Sequence, residues 1–176
     1  YILDKNLILN QQTMVREQWY WATLRLTLGL MFLWAFLDKT FGWGFATKPA
    51  GAWLNGGSPT LGFLKFGVTG PFADFYHTIA GSPLVDWLFM LGLLGIGLAL
   101  TLGVAIRFAS WCGLVMVLLM YSALIPPKNN PFIDEHILEA VSFIGLIVTS
   151  SAPGEVLGLG KWWKQLGLIQ KFHWLQ

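Results

Sequence analysis

The sequence predicts an all-α membrane protein, a four-transmembrane-helix up-and-down bundle with a long extracytoplasmic cap between helices 1 and 2. Three observations predict it. First, the 176 residues are 55% hydrophobic and only 11% charged, whereas soluble domains carry about a quarter charged residues. Second, four apolar segments approach the ~20 residues that a helix needs to cross a bilayer core. Third, short connections join the last three segments, which makes consecutive helices antiparallel neighbours. Ten tryptophans, many beside apolar runs, fit aromatic belts at the two membrane interfaces. A net charge of +2 with no basic stripe is too weak to imply nucleic-acid binding, and no nucleic-acid partner is expected.

The first span runs from about Trp19 to Leu37, carries Arg25 inside it and ends at Asp38-Lys39. Ahead of it, Tyr1 to Glu17 is mixed and polar, without a cleavable signal pattern; a chain opening on Tyr1 reads as one that lacks its natural start. Residues 38–83 form the cap. It is too long for an ordinary linker, and two short helices are expected in it. One begins at Ser58-Pro59 and ends before Gly67; the other runs from Pro71 to Ala80, with Gly81 after it. Phe72, Phe75, Tyr76 and Ile79 then share one face, an interfacial amphipathic pattern. The second span, about Leu84 to Ile106, opens with Ser82 as N-cap, Pro83 at the first helical position and Asp86 in the first turn. Its Gly95, Ala99 and Gly103 offer a small face for close helix packing. The third span runs from Phe108 to Ile125, is joined to the second around Arg107 alone and is stopped by Pro126-Pro127. The fourth runs from about Pro131 to Ser150, before Pro153-Gly154. The tail, 151–176, with Lys161, Trp162, Trp163 and Lys164, reads as an interfacial anchor. No internal repeat is evident.

Basic residues orient the bundle. With four spans, both termini and the Arg107 turn share the side of Lys5, Arg16, Arg107, Lys161, Lys164 and Lys171. Lys39, Lys48, Lys65 and Lys128 lie on the other. The positive-inside tendency puts both termini in the cytoplasm and the cap outside.

The most informative stretch is Pro131-Phe132-Ile133-Asp134-Glu135-His136, with Glu139 one turn further in. Ionisable groups at a membrane helix are rare and face a partner, a cavity or a pathway. The predicted topology brings Asp38-Lys39 to the same outer face. A vestibule lined by Asp38, Lys39, Trp43, Trp53, Asp134, His136 and Glu139 under the cap is the expected site. Glu135, His136 and Glu139 sit on neighbouring positions of one helix face. Asp134, Glu135, His136 and Glu139 are the candidates for proton transfer. Asp38, Lys39, Trp43, Trp53 and Arg25 are the candidates for binding a quinone. Each has a plainer reading. Asp134 and Glu135 suit the positive end of a helix dipole, which leaves His136 and Glu139 as the stronger functional pair. Arg25 and Lys39 suit snorkelling to the interface, and Arg25 also has a carboxylate or a backbone carbonyl as possible partners. Other chemistry lacks residues. Cys112 alone makes neither a disulfide nor a CxxC pair. His136 is the one histidine within a span, with His77 in the cap and His173 in the tail, so bis-histidine haem is not supported. A His136–Glu139 pair without further ligands is a weak signal for a metal site, and no phosphate loop or nucleophile motif is present.

Several of these stretches resemble the DoxX/DoxD family of small four-helix membrane proteins. Arg25-Leu26-Thr27-Leu28-Gly29, followed by Phe32 and Asp38-Lys39, is similar to the family's first helix. Gly95-Ile96-Gly97-Leu98-Ala99-Leu100-Thr101-Leu102-Gly103, followed by Arg107, is similar to its second. Pro131 to His136 resembles the motif opening its fourth. Trp53-Leu54-Asn55-Gly56-Gly57-Ser58-Pro59-Thr60 resembles the DoxD-type branch. Met90 to Leu94 lacks the glutamate that many members carry there. The resemblance covers about Arg25 to Ser150 and implies a single domain over 1–176. It also implies a role in respiratory redox chemistry, since DoxD is the membrane subunit of an archaeal thiosulfate:quinone oxidoreductase and works with a second small subunit. The expectation is an integral subunit in a prokaryotic plasma membrane that interacts with a quinone during oxidation of thiosulfate or another donor. Quinone is then a substrate, no cofactor is covalently bound, and the partners are the lipid bilayer and at least one protein subunit. The rival is a non-catalytic accessory subunit that stabilises a larger respiratory membrane complex. A small transporter fits less well, because broken helices and paired repeats are not evident.

Overall fold

The structure is a computed structural model that describes residues 2–128, 130, 132–149 and 152–172, with side chains from residue 13 onward. Pro131, Ser150 and His173 lie outside the described residues. The described residues are helices and loops, without a strand.

Helix α1 (Ile2–Phe41) has 40 residues, about 60 Å at 1.5 Å per residue. It starts well before the first apolar residue of the predicted span. The polar stretch ahead of Trp19 contains no glycine or proline, so nothing in it breaks a helix. After α1 come two 3₁₀ turns (Pro49–Gly51 and Trp53–Asn55), one π-helical turn (Phe63–Gly67) and α2 (Ala73–Ile79). The long helices α3 (Pro83–Leu102) and α4 (Ile106–Ala123) follow, then α5 (Glu135–Val148), α6 (Gly160–Gln165) and α7 (Gly167–Lys171).

Helix α3 begins as expected, with Pro83 in its first turn behind Ser82. It ends earlier than predicted, because Gly103 takes φ +74° and its amide closes on Ala99 and Leu100 carbonyls. A side chain there would press on the Gly154 carbonyl at 3.0 Å. The link to α4 is therefore residues 103–105, and Arg107 lies inside the first turn of α4 instead of forming the link. Helix α4 stops at Ala123, short of Pro126-Pro127, as the restriction on residues preceding proline requires.

Helix α1 packs on α3, α3 on α4 and α4 on α5, and α1 also meets α5. Phe32 of α1 and Phe143 of α5 make a T-shaped contact at 5.6 Å. The core holds Leu28, Phe32, Met90, Ile96, Leu100, Val117, Phe143 and Leu146, all buried. The outside is equally apolar: Leu30, Trp34, Leu88, Leu91, Trp111, Val115 and Val141 are exposed. Helices hydrophobic all round belong in lipid. Three segments are long and apolar enough to cross a membrane, Thr13–Phe41 (29 residues), Pro83–Leu102 (20) and Ile106–Ala123 (18). These mark a membrane protein. The fourth predicted span is shorter than expected: α5 has 14 residues, about 21 Å, because Asp134 sets its start.

The small face of α3 also differs from the expectation. Gly95 has open space around it. The close contact belongs to Gly97, where an added Cβ would meet the Leu33 amide nitrogen of α1 at 2.8 Å. Gly29 of α1 faces α3 in return, with the Thr101 nitrogen 2.7 Å from its would-be Cβ.

The 42–82 segment packs on the end of the bundle around Leu64, Val68, Tyr76 and Ala123. The Tyr76 hydroxyl donates to the Leu119 carbonyl at 3.0 Å and lies 2.6 Å from Ser122 Oγ. The expected amphipathic face is split. Tyr76 is buried and Ile79 half-buried against the bundle, whereas Phe72 and Phe75 are exposed. Contacts with α4, through the Tyr76 hydroxyl and Ala123, bury Tyr76 and leave Phe72 and Phe75 on the outer edge of the segment.

Candidate functional site

The site is built from the start of α5. Asp134 is its N-cap: Oδ1 accepts from the amides of His136 (3.0 Å) and Ile137 (3.2 Å). Its extended backbone and two amide partners are what an N-terminal aspartate supplies. Asp134 Oδ2 lies 2.9 Å from His136 Nδ1. A carboxylate only accepts, so Nδ1 carries the hydrogen and Nε2 is left as the basic nitrogen. His136 is buried at 6% exposure. Glu139, three residues on, is half-buried, and Glu135 is exposed. The face expected for Glu135, His136 and Glu139 is thus carried by His136 and Glu139, with Glu135 turned to the outside.

Asp134→Ala is expected to lower unfolding free energy by about 1–2 kcal/mol through the lost cap, whereas Asp134→Asn stays within a few tenths of the parent. Thermal unfolding of the three proteins in one detergent checks this.

One atom each from Asp134, Glu135 and His136 lies within 4.8 Å of the others. Asp134 Oδ1 is committed to the two amides of the helix cap and Oδ2 to His136 Nδ1, and hydrogen bonding alone accounts for the closeness of Asp134 and His136.

The Phe32–Phe143 contact sets the register between α1 and α5. Asp38 lies six residues beyond Phe32 and His136 seven before Phe143, so both sit about 10 Å towards the same end. Asp38 nevertheless serves its own loop. It is 2% exposed, and its carboxylate accepts from the amides of Phe45 (3.3 Å), Ala46 (3.0 Å) and Thr47 (2.8 Å). Lys39 is half-buried with Nζ 5.8 Å from the Phe89 ring centre. Trp43 lies on the outside, stacked with Phe41 at 5.8 Å and tilted against Trp34 at 5.3 Å. Trp53 packs edge-on to Trp87 at 4.6 Å. Among the described residues, the hydrogen bonds and ring contacts of these four run to their own neighbours and not to His136 or Glu139.

Arg25 sits at the other end. It is fully buried, and its guanidinium donates to the carbonyls of Leu100, Thr101 (3.0 Å), Pro153 (3.2 Å), Val156 (3.0 Å) and Leu157 (3.0 Å). It joins the last turn of α3 to the 152–158 loop. Of the two partners foreseen for it, backbone carbonyls are the ones it has, and snorkelling and quinone contact are both displaced. A cavity of about 320 Å³ near this end is lined by Arg107, Thr149, Glu155, Trp163 and Lys164, among others, far from His136.

Sequence reasoning treated Asp86 as no more than a first-turn acid. It is buried at 6% exposure. Its Oδ1 accepts from Ser58 Oγ (2.9 Å), Thr60 N (3.1 Å) and Thr60 Oγ1 (2.6 Å). Its partners are 26 and 28 residues away, and no local pattern announces them.

No family model, curated protein or solved structure matches this chain. The DoxX/DoxD likeness rests on the sequence motifs.

Proposed function

We propose that the protein is an integral membrane subunit of a prokaryotic respiratory redox system, with His136 and Glu139 as a proton-exchanging pair serving quinone reduction. The observation that carries this reading is the Asp134–His136 pair. A buried imidazole, oriented through Nδ1 by a carboxylate, presents Nε2 as a base, and a half-buried glutamate lies one turn deeper. Titratable groups in partly buried clusters are functional-site candidates on physical grounds. Reducing a quinone to a quinol takes two electrons and two protons. In this proposal the electrons come from the donor through a partner subunit, and His136 Nε2 and the Glu139 carboxylate each take up a proton from water and pass it to one of the two quinone oxygens. The fourth crossing is made by α5 with its flanking residues. The 42–82 segment faces outward and both termini face the cytoplasm, in keeping with the distribution of lysine and arginine.

The test is donor-dependent quinone reduction by the purified protein with its co-purifying partners. His136→Ala and Glu139→Gln are each expected to lower turnover about a hundredfold or more, the lower end of what general acid–base groups contribute. Unchanged turnover in both variants sinks the site.

A second reading, the non-catalytic accessory subunit, has its own support. Arg25, Asp38 and Asp86 all direct their polar atoms at this chain's own backbone and hydroxyls. The exposed cluster of Trp34, Phe41, Trp43 and Phe45 offers an aromatic contact surface. Stable co-purification of a larger complex without quinone reduction selects that reading.

A further inference from the structure

The carboxylate of Asp86 is half used. Oδ1 takes all three of its hydrogen bonds, from Ser58 and Thr60. Oδ2 takes none among the described residues, and no described cation pairs with it. Burying a carboxylate without a counter-charge is unfavourable unless hydrogen bonds or a dipole offset it. The neutral donors on Oδ1 and the N-terminal dipole of α3 offset part of this, and Oδ2 stays open.

Asp86 lines a cavity of about 280 Å³ together with Ser58, Trp53 and Trp87. This is near the lower bound of small-ligand sites, about 300 Å³. The two indoles meet at 73° with centres 4.6 Å apart, which makes two walls of a corner. Gly56 (φ +83°) and Gly81 (φ +78°) form part of the rim, where the backbone conformation favours residues without side chains. The lining contains one charged group, and it is negative. A carboxylate oxygen beside two indoles suits a cation that also carries N–H: the oxygen accepts the hydrogen bond, and the aromatic rings attract the charge.

We propose that this cavity binds a primary ammonium group. The site lies at the first turn of α3, the end of a segment long enough to span a membrane. That is headgroup depth, where either the ammonium of an aminophospholipid or a small soluble amine can reach it. The proposal does not depend on His136, Glu139 or quinone.

The experiment is calorimetric titration of the full chain, in detergent and in phosphatidylcholine nanodiscs, with ethylammonium and with tetramethylammonium. Saturable ethylammonium binding is expected, with tetramethylammonium at least tenfold weaker because it has no N–H. Asp86→Asn and Trp87→Leu are each expected to weaken ethylammonium at least tenfold. Trp87 is 55% exposed, so its variant keeps the fold and decides the matter if Asp86→Asn does not fold. Nanodiscs containing phosphatidylethanolamine separate the sources: loss of ethylammonium binding there assigns the site to a lipid headgroup, and undiminished binding assigns it to a soluble amine. Absence of saturable ethylammonium binding by the parent protein in both detergent and phosphatidylcholine nanodiscs overturns the proposal, as does Trp87→Leu binding as tightly as the parent.

Discussion

Arg25→Ala is expected to be the most damaging single substitution in the chain. The guanidinium is fully buried and donates to five backbone carbonyls, two in the last turn of α3 and three in the 152–158 loop. The last carbonyls of a helix have no partner within it, so Arg25 does for α3 what a C-cap does elsewhere. A hydrogen bond from a charged donor contributes about 1.5–3 kcal/mol. Losing even half of this set removes about 5 kcal/mol, comparable with the whole stability of a domain at the low end of the usual range. For a chain of this size each kcal/mol moves the melting midpoint by about 2–4 °C, so a fall of at least about 10 °C is expected. Arg25→Lys is expected to recover only part of it, because three donors on one nitrogen cannot match the fork of a guanidinium. Size-exclusion chromatography and thermal unfolding in detergent read the outcome. A midpoint for Arg25→Ala within about 3 °C of the parent would overturn the assignment.

The second large effect separates two glycines of α3 only two residues apart. Gly97→Leu is expected to destabilise by several kcal/mol, beyond the ~1–3 kcal/mol of ordinary overpacking. Its Cβ would lie 2.8 Å from the backbone nitrogen of Leu33, so α1 itself must move. A Cβ at Gly95, an exposed position, meets nothing within 4 Å. Gly95→Leu is expected to be neutral or to stabilise by up to ~1 kcal/mol, from the better helix propensity of leucine. In lipid, where the hydrophobic effect does not drive helices together, this close packing is a main source of association. The ordering of melting midpoints, Gly95→Leu at or above the parent and Gly97→Leu far below, checks the α1–α3 contact directly. Equal effects at both positions would refute it.

These two sites also show which parts of the molecule the sequence expresses. Rules of short range worked well. Ser82-Pro83 marks the start of α3, Pro126-Pro127 follows the end of α4, and Asp134 caps α5, because each depends on residues within one turn. The burial face of α3 was not legible. Its residues are apolar all round, so periodicity has no polar side to set against a buried one, and Gly95 looks as suitable as Gly97. Partners distant in sequence were equally hidden. Arg25 and its carbonyls are 75 to 132 residues apart, and backbone carbonyls have no side-chain identity to read. The candidate site was half legible. The acidic entrance of α5 stands out by composition, whereas the pairing of Asp134 with His136 arises from the extended backbone of Asp134 at the N-cap, since residues two apart within a helix do not face each other. The partners of the other candidates do not stand out either: Asp38 turns into its own loop and Trp53 turns to Trp87, choices made by the folded 42–82 segment.

The guanidinium of Arg25 has a further consequence, in the order of synthesis. On the ribosome, Arg25 is made long before Pro153, which lies 128 residues later. Until then a positive charge in the first membrane helix has at most the two α3 carbonyls for company. A chain that stops early, or that fails to dock its final loop, keeps donors unmet in a medium that supplies no water to satisfy them. Synthesis and docking of the 152–158 loop are thus what satisfy the remaining donors of Arg25. The buried cation ties the docking of the 152–158 loop to the state of the helix that carries Arg25.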